Sequence, residues 1–142
     1  MVRKILSILS ILCCMSACNV DKKYADAIEV ATNFLTAYEN CDFIKAYEFA
    51  SPSAKKNLTM EQLLHNEKID KLRKQNDLTI SLKEKSVTSS TLTDTVWATF
   101  MVNGHIDKAF FSDNEPCVNK NPIEQRIIIA KINNKWLADL IY

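Results

Sequence analysis

Thr95-Val96-Trp97-Ala98-Thr99-Phe100-Met101-Val102-Asn103-Gly104 is the stretch whose reading decides the fold. Val96, Ala98, Phe100 and Val102 fall on one side of an extended chain, and Thr95, Trp97, Thr99 and Met101 on the other. A period of two over this length is the pattern of a half-buried strand. The pattern starts at residue 92 and ends at Asn103-Gly104, which holds the single glycine of the chain. Asn-Gly between two strand patterns is the strongest short hairpin signal, because both residues tolerate positive φ. The expectation is a hairpin whose returning strand runs over residues 105–111.

Working outward, the same period appears on both sides. Upstream, Leu78, Ile80 and Leu82 alternate with Thr79, Ser81 and Lys83, which predicts a strand. Downstream, residues 112–122 carry Asp113, Asn114, Pro116 and Pro122 and read as a loop. Ile123–Ile132 is a strand pattern rich in β-branched residues, Asn133-Asn134 a tight turn, and Lys135–Ile141 a closing strand with Trp136, Ala138 and Leu140 on one side.

Before Gln75 the period is near 3.6. Ala27, Ile28, Ala31, Phe34, Leu35 and Tyr38 recur at three- and four-residue spacing, predicting a helix over 26–41 that ends at Asn40. Asp42 suits the cap of a second helix over 43–50, which Ser51-Pro52 stops. Thr59 and Gln62 have capping-box spacing for a third, carrying Leu63, Leu64, Ile69 and Leu72, with a basic outer side of Lys68, Lys71, Arg73 and Lys74. Helices first and an antiparallel meander last predict an α+β fold, with N-terminal helices packed on one face of a curved antiparallel β-sheet.

The first residues carry an address. Arg3 and Lys4 precede an apolar run from Ile5 through Cys14, and Met15-Ser16-Ala17-Cys18 follows. That run is about 10–13 residues, too short to span a bilayer, which takes about 20. The ending resembles the bacterial lipobox, an aliphatic residue and two small ones before cysteine. The alternative is a cleaved secretory signal with an incidental Cys18. The expected division is a lipoprotein signal peptide at 1–17, a lipidated Cys18 with a short tether at 18–25, and a single domain at 26–142. The resemblance implies diacylglycerol and an acyl chain such as palmitate on Cys18, and two or more chains anchor a protein stably. Asn19 stands where an inner-membrane retention signal has Asp, and Val20-Asp21-Lys22-Lys23 is not acidic. The expected location is therefore the outer membrane, facing the periplasm.

Full-length charge is +1; setting Arg3 and Lys4 aside leaves 16 of the 18 basic residues against 17 acidic ones. Such a balance offers no basic face for nucleic acid. Once Cys13 and Cys14 leave with the signal and Cys18 is lipidated, Cys41 and Cys117 remain, an even pair in an oxidising compartment. They form either a disulfide, which by closing a long loop would contribute roughly 4 kcal/mol, or two unrelated thiols.

Three features together resemble a known group: Phe34-Leu35-Thr36-Ala37-Tyr38 followed by Asp42-Phe43-Ile44-Lys45-Ala46-Tyr47, the antiparallel strands, and the ending Lys131-Ile132-Asn133-Asn134-Lys135-Trp136-Leu137-Ala138-Asp139. Over residues 26–142 the chain resembles the nuclear-transport-factor-2-like (cystatin-like) superfamily, and within it small bacterial lipoproteins of unknown function. The resemblance implies a cone whose sheet and helices enclose a pocket. Members use such a pocket for isomerisation or hydrolysis, for small-molecule binding, or not at all where they bind only proteins, so the fold does not choose among these. The enzymes place an Asp, Tyr or His in an apolar cavity. Here that implies a pocket of Tyr38, Asp94, Trp97, Phe100 and His105, with Asp107 nearby in sequence. Asp94 shares the alternation of Val96 and Ala98 and points inward as a general base, or else lies at the frayed start of its strand. His105 flanks a turn, where an exposed histidine is the plain expectation.

Other chemistries lack their residues. One glycine allows no phosphate-cradling loop, and there is no Gly-x-Ser-x-Gly elbow or Cys-x-x-Cys. His65, His105, Cys41 and Cys117 have no zinc-ligand spacing. No cofactor or metal is expected. The leading expectation is a membrane-anchored cell-envelope lipoprotein with a non-enzymatic binding role, toward a protein partner or a small apolar ligand. The alternatives are a small pocket enzyme of isomerase or hydrolase type using Asp94 or His105, and an immunity or inhibitor protein.

Overall fold

The structure, a computed structural model, describes residues 23–90, 92–107 and 116–141. The expected signal peptide, Cys18 and residues 108–111 of the expected returning strand lie outside the described residues.

The first helix, α1 (Ala25–Glu39), buries Ala27, Ala31, Phe34 and Leu35 along one stripe. Alanines at two of these places let the helix backbone lie close to the sheet. Asn40 ends the helix, and Cys41 turns the chain with φ 55°. Asp42 then caps α2 (Phe43–Phe49), its Oδ1 accepting the Lys45 N–H at 3.1 Å. Ser51-Pro52 ends that helix as expected, but it also starts the next. Ser51 caps α3 (Pro52–Leu64), accepting the Ala54 N–H at 3.1 Å, with Pro52 at the first helical position. Thr59 is therefore no cap. Its hydroxyl lies mid-helix, donating to the Lys55 carbonyl at 3.0 Å and meeting the Tyr47 hydroxyl. The expected third helix is two helices. Asn66 breaks the run by accepting the N–H groups of Lys68 and Ile69 at 3.0 and 3.2 Å, which caps a separate α4 (Glu67–Asn76).

Among the described residues six strands follow: β1 (Ser81–Ser90), β2 (Thr95–Asn103), β3 (Ile106–Asp107), β4 (Cys117–Val118), β5 (Ile123–Ile132) and β6 (Lys135–Ile141). The main sheet is antiparallel with order β1-β2-β5-β6, and β3 pairs with β4 in a two-stranded ribbon. The expected hairpin at Asn103-Gly104 is not formed. Asn103 is still in register with Ser81, and β2 takes β5 as its other neighbour through Val102↔Ile123. Gly104 has φ 79°, and a Cβ there would lie 2.9 Å from the Thr79 carbonyl oxygen. The glycine lets the chain leave the sheet past the backbone of Thr79, rather than fold back along β2. Asn133 and Asn134, at φ 50° and 62°, do make the expected tight turn, between β5 and β6.

Two bulges set which side chains face the helices. In β1 the register shifts between Glu84 and Ser86, leaving Lys85 unpaired. Leu82 and Val87, five residues apart and so of opposite parity, thereby both pack against the core. In β6 the pairs Ile128↔Leu140 and Ile129↔Ala138 leave Asp139 unpaired. Trp136 and Ala138 reach the core as expected, but beyond the bulge Ile141 packs against it, at the parity opposite to that expected for Leu140.

The core is one cluster between α1, α2 and α3 and one face of the sheet, joining Phe34, Leu35, Phe43 and Leu58 to Val96, Ala98, Phe100, Val102, Ile127 and Ile129. Full burial of a side chain of this size contributes about 1.5–3 kcal/mol. The architecture is thus α+β, with helices on an antiparallel sheet. Among the described residues no helix is long and apolar enough to cross a membrane.

Candidate binding cleft

Three elements enclose a cleft of about 270 Å³. Helix α1 supplies Phe34 and Tyr38, four residues apart, whose rings stack with centroids 6.2 Å apart and planes 13° apart. Helix α3 supplies Ala54, Asn57, Leu58 and Glu61, which share one face at three- and four-residue spacing, with Met60 and Leu64 beside them. Strand β6 supplies Asp139 and Ile141. Asp139 reaches the helix side because of the bulge, since regular alternation would set it opposite Ala138.

The polar groups of the cleft are held in place. Ser51 is fully buried, and its hydroxyl donates to Asp139 Oδ1 at 2.6 Å. Its N–H donates to the Ala138 carbonyl at 2.7 Å, so the start of α3 is locked to the bulge. Asp139 therefore sits at a helix N-terminus, where the helix dipole favours an anion. Burial, reinforced by the nearby Glu61 and Glu39 charges and a hydrogen bond to Glu61, pushes the Tyr38 hydroxyl far above its ordinary range. Tyr38 thus stays a neutral phenol, and its O–H donates a hydrogen bond to the Glu61 carboxylate.

A second polar assembly lies at the end of α1. Glu39 is buried, and its Oε2 meets His105 Nδ1 at 2.8 Å. His105 Nε2 faces Asp107 Oδ1 at 3.4 Å. The Arg73 guanidinium donates to the Glu39 carbonyl and, at 3.2 Å, to Cys41 Sγ. Asp107 in turn accepts from Asn119 Nδ2 at 3.2 Å. This chain of contacts ties α1, α4, β3 and the residue after β4 together. The disulfide reading is corrected here. Cys41 and Cys117 are free, Cys41 beside Arg73 and Cys117 exposed with its sulfur 4.0 Å from Asp107. The two sulfurs stand at opposite ends of the network and face different partners.

Of the residues expected in a pocket, only Tyr38 lines the cleft. Phe100 is buried in the core, and Trp97, half-buried, alternates with Val96 and Ala98 onto the sheet face away from the helices. Asp94 is exposed in the turn before β2, so it is not an inward general base. His105 is largely buried against Glu39 rather than exposed. Sequence reading missed Glu61 and Asp139. The one available signal for Glu61 was its spacing from Ala54 and Leu58; nothing in sequence announces the bulge that turns Asp139. Among the described residues, no group of His, Cys, Asp and Glu is arranged to hold a metal ion.

A wider groove of about 590 Å³ runs between α1 and β1, past Tyr24, Ile28, Glu29, Glu84 and Thr88. Glu29, Glu84 and Thr88 are exposed, so this is an open polar trough rather than an enclosing site. The chain matches no family model and no curated protein.

Proposed function

We propose that this chain is a lipid-anchored cell-envelope lipoprotein of nuclear-transport-factor-2-like fold, whose domain binds a small ligand without transforming it. The anchor reading rests on the short apolar run and Met15-Ser16-Ala17-Cys18, and outer-membrane placement on Asn19. The fold reading is supported by a long first helix and two shorter ones on one face of an antiparallel sheet. The observation that carries the binding reading is the cleft. Its walls are apolar apart from a few fixed polar groups, the usual make-up of a ligand site.

A non-enzymatic role is supported by how the expected catalytic groups are engaged. Both ring nitrogens of His105 face carboxylates, so neither is presented to a substrate. Asp94 lies away from the cleft, and the Tyr38 proton is held too tightly to serve as a base near neutral pH.

Met60 lines the cleft and is 56% exposed, so Met60→Trp narrows the entrance without disturbing the core. Ligand-observed NMR with fragment-sized neutral, anionic and cationic compounds is expected to find binders to the full chain in lipid nanodiscs, and M60W to abolish their signals. Binders indifferent to M60W, or none at all, end the binding reading. The anchor is tested separately: C18A is expected to leave the membrane fraction and to take up no labelled fatty acid.

A further inference from the structure

We propose that the outer edge of β1, with the face of α1 beside it, docks a basic, extended peptide segment of a partner protein, which joins the main sheet as a further strand. This surface is separate from the cleft, and the inference does not rest on the small-ligand reading.

Four observations converge. First, β1 ends the sheet order β1-β2-β5-β6, and among the described residues no backbone group pairs with its outer edge. In an antiparallel strand every second residue turns its N–H and C=O away from the paired neighbour, so β1 offers an unfilled row of donors and acceptors. The other edge, β6, is engaged: Ala50 bridges Ala138, and the Ser51 N–H donates to the Ala138 carbonyl. Second, the trough of about 590 Å³ runs along the β1 edge. Val87, Thr88 and Ser89 all line it. Consecutive strand residues point to opposite faces, so the trough is bordered by the edge of the strand rather than by one face. Third, the opposite wall is a helix stripe. Ala25, Ile28, Glu29, Thr32 and Asn33 recur at three- and four-residue spacing, beside the stripe that faces the core. A helix running along an open strand edge gives an added strand side-chain contacts as well as backbone pairing. Fourth, the edge is guarded only in part. Lys83, Glu84 and the bulge at Lys85 blunt its first half, whereas Ser86-Val87-Thr88-Ser89-Ser90 carries no charge, proline or bulge.

Charge selects the occupant. Glu29 and Glu84 line the trough, both exposed, and no lysine, arginine or histidine is among its described lining residues. Asp94, in the turn before β2, adds a negative charge near Tyr24. Lys23, 5.3 Å from the centre of the Tyr24 ring, offsets one of these charges at the end of the trough. A lysine or arginine on the helix side of the added strand reaches Glu29 and Glu84, and a small apolar residue two positions along lies by Ile28 and Val87. The stripe from Ala25 to Asn33 rises about 12 Å, which about four residues of extended chain span. A second copy of this chain is a poorer occupant, because it brings its own Glu29 and Glu84 to the same trough and sets like charges together.

The probes are three dye-labelled short peptides: alternating valine and lysine, the same with glutamate for lysine, and the basic peptide with N-methylated amides along one edge, which cannot pair. Fluorescence anisotropy follows each against the full chain in nanodiscs of zwitterionic lipid, with empty nanodiscs as the blank. The basic peptide is expected to bind about tenfold more tightly than the acidic one, and methylation to abolish its binding. Hydrogen exchange is expected to slow within Ser86–Ser90 when the basic peptide is present and to stay unchanged in β6. Glu29→Lys combined with Glu84→Lys is expected to reverse the preference toward the acidic peptide. Equal binding of the two charge types, binding that survives methylation, or no binding at all overturns the inference, as does a basic preference that persists in the double variant. A peptide-free dimer that protects Ser86–Ser90 assigns the edge to a second copy and overturns it as well. If circular dichroism shows that the double variant does not fold, the methylated probe and the exchange map of the unaltered protein decide.

Discussion

Glu39 and His105, 66 residues apart in sequence, meet at 2.8 Å, with the Glu39 side chain 2% exposed and that of His105 14%. The contact joins the last residue of α1 to the chain leaving β2, and it holds the β3–β4 ribbon against the helices. Removing one member of a buried pair costs about 3–5 kcal/mol, because the other is left without compensation. His105→Ala is expected to destabilise the domain by about 3 kcal/mol, and Glu39→Gln by less, since an amide still accepts a hydrogen bond. A double-mutant cycle by urea denaturation reads the coupling; additive effects of the two changes would show that the contact carries no energy.

Gly104→Ala is expected to destabilise by about 2 kcal/mol. Alanine would have to hold φ 79° with its Cβ 2.9 Å from the Thr79 oxygen. Thermal unfolding measures this, and a neutral substitution would mean that the chain leaves the sheet by another path.

Ser51→Ala removes a helix cap and the hydrogen bond to Asp139 from a fully buried position. The expected cost is about 2 kcal/mol, more than the usual cap alone. Hydrogen exchange should show the first turn of α3 opening faster. If β6 exchanges unchanged around Asp139, the lock between helix and bulge is not energetic.

Tyr38 and Tyr24 are expected to ionise at opposite ends of the alkaline range. Burial raises Tyr38, while hydrogen bonds to Ser89 and Lys23 lower the half-buried Tyr24 from its ordinary value. A raised folded-state pKa means that the native state holds its proton longer than the unfolded chain. Stability is then fully present below about pH 10 and lost as pH rises further. Absorbance titration at alkaline pH should lose its earliest component in Tyr24→Phe and its latest in Tyr38→Phe, and Y38F should unfold less readily above pH 10.

Cys41 and Cys117 are expected to alkylate without reductant, Cys117 first because it is exposed and Cys41 later because it is partly buried beside Arg73. Peptide mapping after iodoacetamide treatment under native and then denaturing conditions follows both. A disulfide-linked peptide pair would overturn the free-thiol arrangement.

Local signals in the chain were sufficient for the elements and their order. Asp42, Asn40 and Asn133-Asn134 act through their own neighbours within a few residues, so α1, α2 and the β5–β6 turn were legible from spacing and cap chemistry alone. The inward face of β2 was legible for the same reason, since parity along one strand needs no partner. What the tertiary structure decided depends on contacts distant in sequence. Gly104 reads the same in a hairpin or at a sheet exit, and only the approach of Thr79 selects the exit. Asp94 and Asp139 are both acidic residues beside strand patterns. A bulge, invisible in composition, turns Asp139 to Ser51 and the cleft, while Asp94 remains in solvent. The residues that line the cleft come from three elements brought together by burial of their apolar faces, and no single stretch of sequence carries that juxtaposition.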